Sequence, residues 1–400
     1  MLRIAVIGAG GFAFHIIQRI WDVADKLELV AVTSNPARKS PGAAACRERD
    51  IDVFGTPDQL LDAMQGKCDL IYVPTPIHTH GPLAKKCLDA GFDVWMEKPP
   101  VATIQDHDDL LAYANQRGKQ IAVCFQYLYS PLVQAAKEAI SEGRYGRVRR
   151  VRSIGMWERF DSYYGRNGWG GKLRAGDDWI LDGTINNPLA HVLSNDLYLA
   201  SADRWRMADP VTVQAELYHA HDIESEDTSS LRIMTTDDVE VVYQATLCAE
   251  EVREPITVVD CEKATIEYAE FTRLTVTHAD GAQEQSSHEK DRFVTMLERL
   301  ADDYEAGTPY LGSLEVCRPF TLAVNGAFES SRFTHGIGRE HLRRSDKDGE
   351  VQTVVAGLQD LMQQAYQQGK VLSEMGAPWA VRTEPFDVTG YRTFPSDVLK

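Results

Sequence analysis

An apolar run at 2–7 ends in glycines, and Phe12, Ile16, Ile17, Ile20, Val23, Ala24 and Leu27 then recur at helical spacing. Further apolar runs lie at 29–32, 69–73, 92–96 and 120–124, separated by helical patterns at 57–65, 83–90 and 105–116. Short, nearly all-apolar strands alternating with helices predict a parallel sheet covered on both faces. From about residue 146 the pattern changes. Runs at 148–157, 211–217, 229–234, 239–245, 256–259, 265–268 and 274–277 mostly alternate polar with apolar residues. Such alternation predicts antiparallel strands with one wet face. Helical patterns occupy 188–200, 290–306 and 314–333. The chain therefore reads as α/β: a doubly wound parallel sheet over 1–125, then a second α/β domain over 126–335 with mostly antiparallel strands. Residues 336–400 form an extension with a helical stretch at 351–369, whose placement the pattern leaves open.

Four hundred residues are too many for one compact core, in keeping with this division. The formal net charge of -17 disfavours nucleic acid, because phosphate binding needs clustered Lys and Arg; an anionic cofactor needs only a local site. No two of the seven cysteines form a C-x-x-C pair. Neither a disulfide framework nor a structural zinc site is expected, and most of the cysteines should be small buried residues. There is no signal-peptide pattern and no apolar run long enough to span a bilayer, so the expected compartment is the cytoplasm.

The first strand runs into Gly8-Ala9-Gly10-Gly11-Phe12-Ala13 and a helix follows. This G-x-G-x-x-A turn suits a dinucleotide. The first glycine permits the tight turn, the second lets the backbone approach a pyrophosphate, and the small Ala13 lets helix and strand pack closely. The helix N-terminus adds N–H donors and a partial positive charge. The reading is a Rossmann domain. At the end of the second strand stand Ser34, Asn35, Arg38 and Lys39, with no carboxylate to hold an adenosine ribose. This favours NADP over NAD, although Arg38 and Lys39 also fit solvated loop charges.

Glu97-Lys98-Pro99-Pro100 ends another strand, because proline lacks an N–H and fixes φ. Glu97 and Lys98 thus lie at the carboxyl end of a parallel strand, where open α/β sheets bind ligands. A lysine there can relay a proton or hold a substrate oxygen. With Thr75-Pro76-x-x-x-His80 and Ala90-Gly91 preceding it, the segment resembles the Gfo/Idh/MocA oxidoreductases, a family that includes glucose-fructose oxidoreductase and inositol dehydrogenases. The resemblance covers roughly residues 1–330 and is strongest before 130. It implies that Thr75, Pro76, His80 and Glu97 line the cofactor and that Lys98 lies near nicotinamide and substrate. It also implies a C-terminal domain with a large open sheet that mediates assembly into a homodimer or homotetramer.

The family carries an Asp-x-x-x-His pair on a C-domain helix. His191 matches its histidine, and Asn187 stands at the aspartate position. Asn187, His191 and Asn195 are spaced to share one helix face. Two roles stay open for Asn187, substrate contact or N-cap ahead of Pro188, and His191 also suits a satisfied core histidine. An Asp would steady an imidazolium where Asn only hydrogen-bonds, which weakens the assignment of His191 as general base; Asp182 is a nearby carboxylate. Upstream, Trp157, Arg159, Tyr164, Arg166, Asn167 and Trp169 are candidates for a substrate wall. The same composition suits an oligomer contact.

The reading is a nicotinamide-dependent dehydrogenase or reductase acting on a sugar or polyol, with Lys98, His191 and Asn187 in its chemistry and no metal. Two alternatives are a cofactor-retaining glycoside hydrolase or lyase working by transient oxidation and elimination, and a non-enzymatic NAD(P)-binding regulator.

Overall fold

The computed structural model describes residues 1–37 and 39–397. The chain divides into two compact units. Unit 1 comprises Met1–Val101, Asp106–Ser130 and Lys290–Cys317; unit 2 comprises Ala102–Gln105, Pro131–Glu289 and Arg318–Lys400.

Unit 1 is built on β1 (Leu2–Val6), β2 (Leu27–Thr33), β3 (Asp52–Phe54), β4 (Leu70–Val73), β5 (Asp93–Met96) and β6 (Ile121–Val123). They form one parallel sheet in the order β3-β2-β1-β4-β5-β6. The order reverses between β1 and β4, which opens a crevice at the strands' carboxyl ends. Helices α1 (Gly11–Asp22), α2 (Pro41–Arg47), α3 (Pro57–Ala63), α4 (Ile77–Asp89) and α5 (Ile104–Gln116) connect the strands. The pattern at 2–124 predicted β1, β2, β4, β5 and β6 and most of these helices. It missed α2 and β3, which are only seven and three residues long.

In unit 2, α6 (Pro131–Ser141) leads into the long β7 (Val148–Glu158), followed by the single turn α7 (Asp161–Tyr164). A small hairpin, β8 (Arg174–Ala175) and β9 (Asp178–Trp179), precedes α8 (Ala190–Ala200). Then come β10 (Pro210–His219), β11 (Thr228–Thr235), β12 (Glu240–Thr246), β13 (Cys248–Cys261), β14 (Ala264–Ala269), β15 (Arg273–His278) and β16 (Gln283–Ser287). After α9 (Arg292–Ala306) and α10 (Leu314–Ser331) come β17 (His335–Gly336), β18 (Leu342–Lys347), β19 (Glu350–Val355), α11 (Leu358–Gln368) and β20 (Phe386–Asp387). The main sheet runs β16-β15-β14-β13-β7-β12-β11-β10-β17, with β20 also on β10. It is mostly antiparallel, as the alternation predicted; β7–β12 and β10–β17 are parallel.

Two boundaries differ from those read at 125 and 335. Residues 290–317 join unit 1, because α9 buries Phe293, Met296, Leu297 and Leu300 and packs on α1, β1 and β2. Phe293 meets Phe12 edge-on at 5.8 Å, and Val123 N–H donates to Gly312 C=O at 2.8 Å. The extension is no separate body. Residues 351–355, predicted helical, belong to β19, while α11 lays Leu358, Met362, Ala365 and Tyr366 against Ile154, Met156 and Val258 of the main sheet. One face of β7 and β13 is thereby covered by the chain itself. The neighbouring positions on that face, Thr265, Glu267, Thr275 and Thr277, are polar and half-buried. The sheet surface expected from the resemblance to receive a second copy is thus occupied by α11 or polar.

Candidate active site

The glycine turn has the geometry its sequence suggests. Gly8 has φ +128°, a region open in practice to glycine alone, and its Cα side lies 3.6 Å from Ala13 Cβ when a methyl is placed there. Gly10 is the N-cap of α1; no side chain caps that terminus, and the first turn holds no acidic residue. The N–H groups at the start of α1 are therefore not claimed by the protein's own side chains, which fits an anionic pyrophosphate. The loop after β2 is tied to this turn. Ser40 Oγ donates to Ala9 C=O at 2.8 Å and accepts from Ala43 N–H at 3.2 Å. At Gly42 a Cβ would sit 2.1 Å from Ala9 O, so only glycine lets α2 come this close. Ser34 is half-buried and its N–H bonds Phe54 C=O. Asn35 spends its side-chain oxygen on Ala37 N–H at 2.9 Å. Arg38 lies outside the described residues.

The Glu97–Lys98 turn follows β5. The Glu97 carboxylate is buried and accepts from Tyr72 Oη at 2.6 Å and Lys98 N–H at 3.3 Å. Burial pushes its pKa above the ordinary carboxylate value, although Cys124, Tyr72 and Lys98 draw it back. Tyr72 in turn stacks on Trp95 at 4.1 Å. Lys98, half-buried, thus grows from a turn anchored by a carboxylate that the sheet interior holds in place.

His80 departs from its expected part as a cofactor contact. It is fully buried; Nε2 lies 2.7 Å from Thr75 O, and Nδ1 lies 3.0 Å and 3.1 Å from Pro99 O and Pro100 O. Burial lowers its pKa against the pull of those carbonyls. The ring bridges the Thr75 and Pro99–Pro100 backbones, so its effect on a ligand is indirect. Thr75 stays half-buried, holding Thr79 Oγ1 at 2.7 Å, and Pro76 is exposed at the N-cap of α4.

In unit 2 the helix predicted over 188–200 begins at Ala190, with Leu189 as N-cap. Asn187 is therefore neither cap nor helical, and only His191 and Asn195 share the helix. Both are buried, Asn195 almost completely, which leaves it away from any open surface. The Asn187 side chain is taken by a residue five positions earlier: Asn187 Nδ2 donates to Asp182 Oδ1 at 2.6 Å. Asp182 Oδ2 accepts from Arg166 Nη2 at 3.0 Å and Gly171 N–H at 2.8 Å. The carboxylate missing at 187 is thus present beside it. Asn187→Asp would set two carboxylates against each other, which disfavours the ionised pair. The variant is expected to unfold at a lower temperature than wild type at pH 8, and the gap should shrink at pH 5. An equal or higher melting temperature at pH 8 would show that Asp182 does not hold this side chain.

Helix α8 is pinned from below. Asp196, fully buried, accepts from Ser153 Oγ and, at 2.9 Å, from Thr257 Oγ1, and burial pushes its carboxyl up to about 7.

Of the expected substrate wall, Trp157, Arg159 and Arg166 line an open cleft of about 610 Å³ together with Tyr163, Glu158 and Glu254. Arg166 stacks over Tyr163 at 3.8 Å, and Trp157 Nε1 donates to Glu254 Oε2 at 3.3 Å. Asn167 and Trp169 are not among the cleft residues; Asn167 Oδ1 turns back to Trp169 N–H. Tyr164 lines a different cavity, beside His221. The pattern missed Tyr163, since nothing in its spacing marks it; Asp182 is foreseen as a nearby carboxylate, but not as the acceptor that joins Asn187, Arg166 and Gly171.

Residues 2–125 match the model of an oxidoreductase family with an NAD-binding Rossmann fold. This segment belongs to the Gfo/Idh/MocA family. Over 159 residues the chain is 31% identical to 1-carboxy-3-chloro-3,4-dihydroxycyclo hexa-1,5-diene dehydrogenase of Comamonas testosteroni, and over 147 residues 29% identical to D-glucoside 3-dehydrogenase of Escherichia coli strain K12. These matches span 38% and 37% of this chain and 38% and 41% of the relatives. Beyond the Gfo/Idh/MocA segment the likeness is one of fold. The WlbA dehydrogenase of Bordetella pertussis, solved with NADH and UDP-GlcNAcA, superposes with a TM-score of 0.67 at 20% identity, over 83% of this chain and 96% of that one. Levoglucosan dehydrogenase, solved with NADH, gives 0.71 at 15% over 82% and 96%. Among the described residues no helix is long and apolar enough to cross a membrane.

Proposed function

We propose that the protein is a nicotinamide-dependent dehydrogenase or reductase acting on a carbohydrate or polyol. The observation that carries this reading is Lys98, set by the buried Glu97 at the carboxyl end of a strand in an NAD-binding sheet. Gly8, Gly10, Gly11, Phe12 and Ala13 would hold the pyrophosphate, and Ser34, Asn35, Thr75 and Pro76 the rest of the dinucleotide. When bound, the nicotinamide supplies the hydride donor or acceptor. Alcohol oxidation sheds a proton as well as a hydride; Lys98 would hold or move that proton at the substrate oxygen, and His191 is the second candidate for that role.

The substrate class rests on the cleft at Trp157, Tyr163, Arg159 and Arg166, whose aromatic faces suit sugar C–H surfaces and whose guanidiniums suit hydroxyl or carboxylate oxygens. The names of the relatives, a glucoside dehydrogenase and a levoglucosan dehydrogenase, point the same way. A panel of sugars, polyols and sugar acids, read by nicotinamide absorbance and product chromatography, tests the reading. Absorbance change with at least one member is expected; product without net absorbance change would move the protein to transient-oxidation chemistry.

For the cofactor, Ser34 and Lys39 with no carboxylate after β2 support NADP(H). Titration is expected to show NADP(H) held about tenfold more tightly than NAD(H), the worth of one charge-assisted contact to a 2′-phosphate. A preference of the same size for NAD(H) reverses the assignment.

A further inference from the structure

Three segments of unit 2 meet at a buried cluster that the dinucleotide reading does not use. His221 lies just after β10, Asp227 just before β11, and Cys248 opens β13. All three are buried, and their ligand-type atoms lie within 4.8 Å of one another. His221 Nδ1 is 2.8 Å from Asp227 Oδ2 and 3.5 Å from Cys248 Sγ. Backbone contacts fix the cluster: Asp227 accepts from Ala220 N–H and His221 N–H, each at 2.9 Å, and Cys248 N–H donates to Thr246 Oγ1 at 3.0 Å.

We propose that His221 Nδ1, an Asp227 carboxylate oxygen and Cys248 Sγ form a binding site for a borderline-soft divalent cation, with Zn²⁺ the best match. Imidazole nitrogen, thiolate and carboxylate are the donor types Zn²⁺ takes, and three protein ligands leave a fourth position for water. Charge supports the assignment, because a thiolate and a carboxylate neutralise a dication in an interior where an unbalanced charge is costly. Binding releases the Cys248 thiol proton to solvent and moves the imidazole proton from Nδ1 to Nε2.

That proton shift resolves a second observation. With Nδ1–H given to Asp227, His221 Nε2 is buried without a hydrogen-bond partner, and so is the Tyr164 hydroxyl on the ring that packs 4.7 Å from His221. With Nδ1 on the metal, Nε2 carries the proton toward Asp161 Oδ1, which at 3.9 Å lies one bridging water rather than one direct hydrogen bond away. A metal-bound imidazole takes such a carboxylate as its outer partner. A cavity of about 150 Å³ beside His221, Tyr164 and Asp161 has room for water. Unpaired cysteines give no sequence signal for zinc; here each ligand comes singly from a different strand end.

The test is a Co²⁺ titration of the full chain after chelator treatment. Saturable uptake of one Co²⁺ per chain is expected, with a thiolate-to-cobalt absorbance band that Zn²⁺ abolishes and that Cys248→Ser lacks. Zn²⁺ should also raise the unfolding temperature of wild type. If Cys248→Ser fails to fold, His221→Gln replaces it, with loss of the band again expected. Absence of a thiolate band in saturated wild type, persistence of the band in either folded variant, or an unfolding temperature indifferent to Zn²⁺ overturns the site and leaves a hydrogen-bonded core cluster.

Discussion

Lys98→Met is expected to lower turnover by about 10²–10⁴-fold, the range for loss of a positioned proton-transfer group, while the dissociation constant for the nicotinamide cofactor stays near that of wild type. Methionine keeps the length and the apolar stem of lysine and removes only the ammonium. The turn should survive the change, because its anchors lie elsewhere: Tyr72 Oη and the residue 98 N–H on Glu97, and the buried His80 among the carbonyls of Thr75, Pro99 and Pro100. The dinucleotide is assigned to the glycine turn after β1, on a different strand. Steady-state rates on the substrate found by the panel, with cofactor titration by fluorescence, separate the two effects. Wild-type turnover in the variant would place the chemistry elsewhere.

Asp182→Ala is expected to destabilise the fold by about 3 kcal/mol, the lower end of the cost of breaking a buried pair. Asp182 is 3% exposed and answers three donors: the Asn187 amide, the Arg166 guanidinium and Gly171 N–H. Removing it takes the acceptor from the buried Gly171 N–H, which costs free energy in the interior, and breaks the bond to the half-buried Asn187 amide. Arg166 keeps partial solvent access at 26% and its stack on Tyr163, which is why the lower end applies. Urea unfolding measures the change. Asp182→Asn should recover part of it, because the amide oxygen still accepts. A loss below about 1 kcal/mol for Ala, the net worth of a single hydrogen bond, would show that the three contacts are replaceable by water.

The parallel sheet was legible because strands buried on both faces are apolar throughout and helices between them repeat at 3.6 residues. The glycine turn and Glu97–Lys98 were legible because backbone constraint writes itself locally, in Gly and Pro. What the pattern missed has long-range causes. Residues 351–355 carry Val351, Thr353 and Val355 in alternation, yet they adjoin a helical period and were absorbed into it. Asn187 before Pro188 has the local signature of a helix start, and Asp182 overrides it by capturing the amide. His221, Asp227 and Cys248 have no recognisable spacing because three strand ends bring them together.

The cover that α11 lays over the main sheet also sets an order of events in synthesis. Arg152 on β7 and Gln367 on α11, which touch in the folded chain, are 215 residues apart in sequence. At about 5–20 residues per second, β7 leaves the ribosome on the order of ten to forty seconds before its cover exists. During that interval Ile154, Met156, Tyr218 and Val258 present a bare apolar surface to water and to neighbouring nascent chains. A message truncated between β16 and α11 would yield a chain whose sheet has all its long strands yet sticks to chaperones, and the aggregation risk of this protein is thereby concentrated in its translation rather than in its finished form.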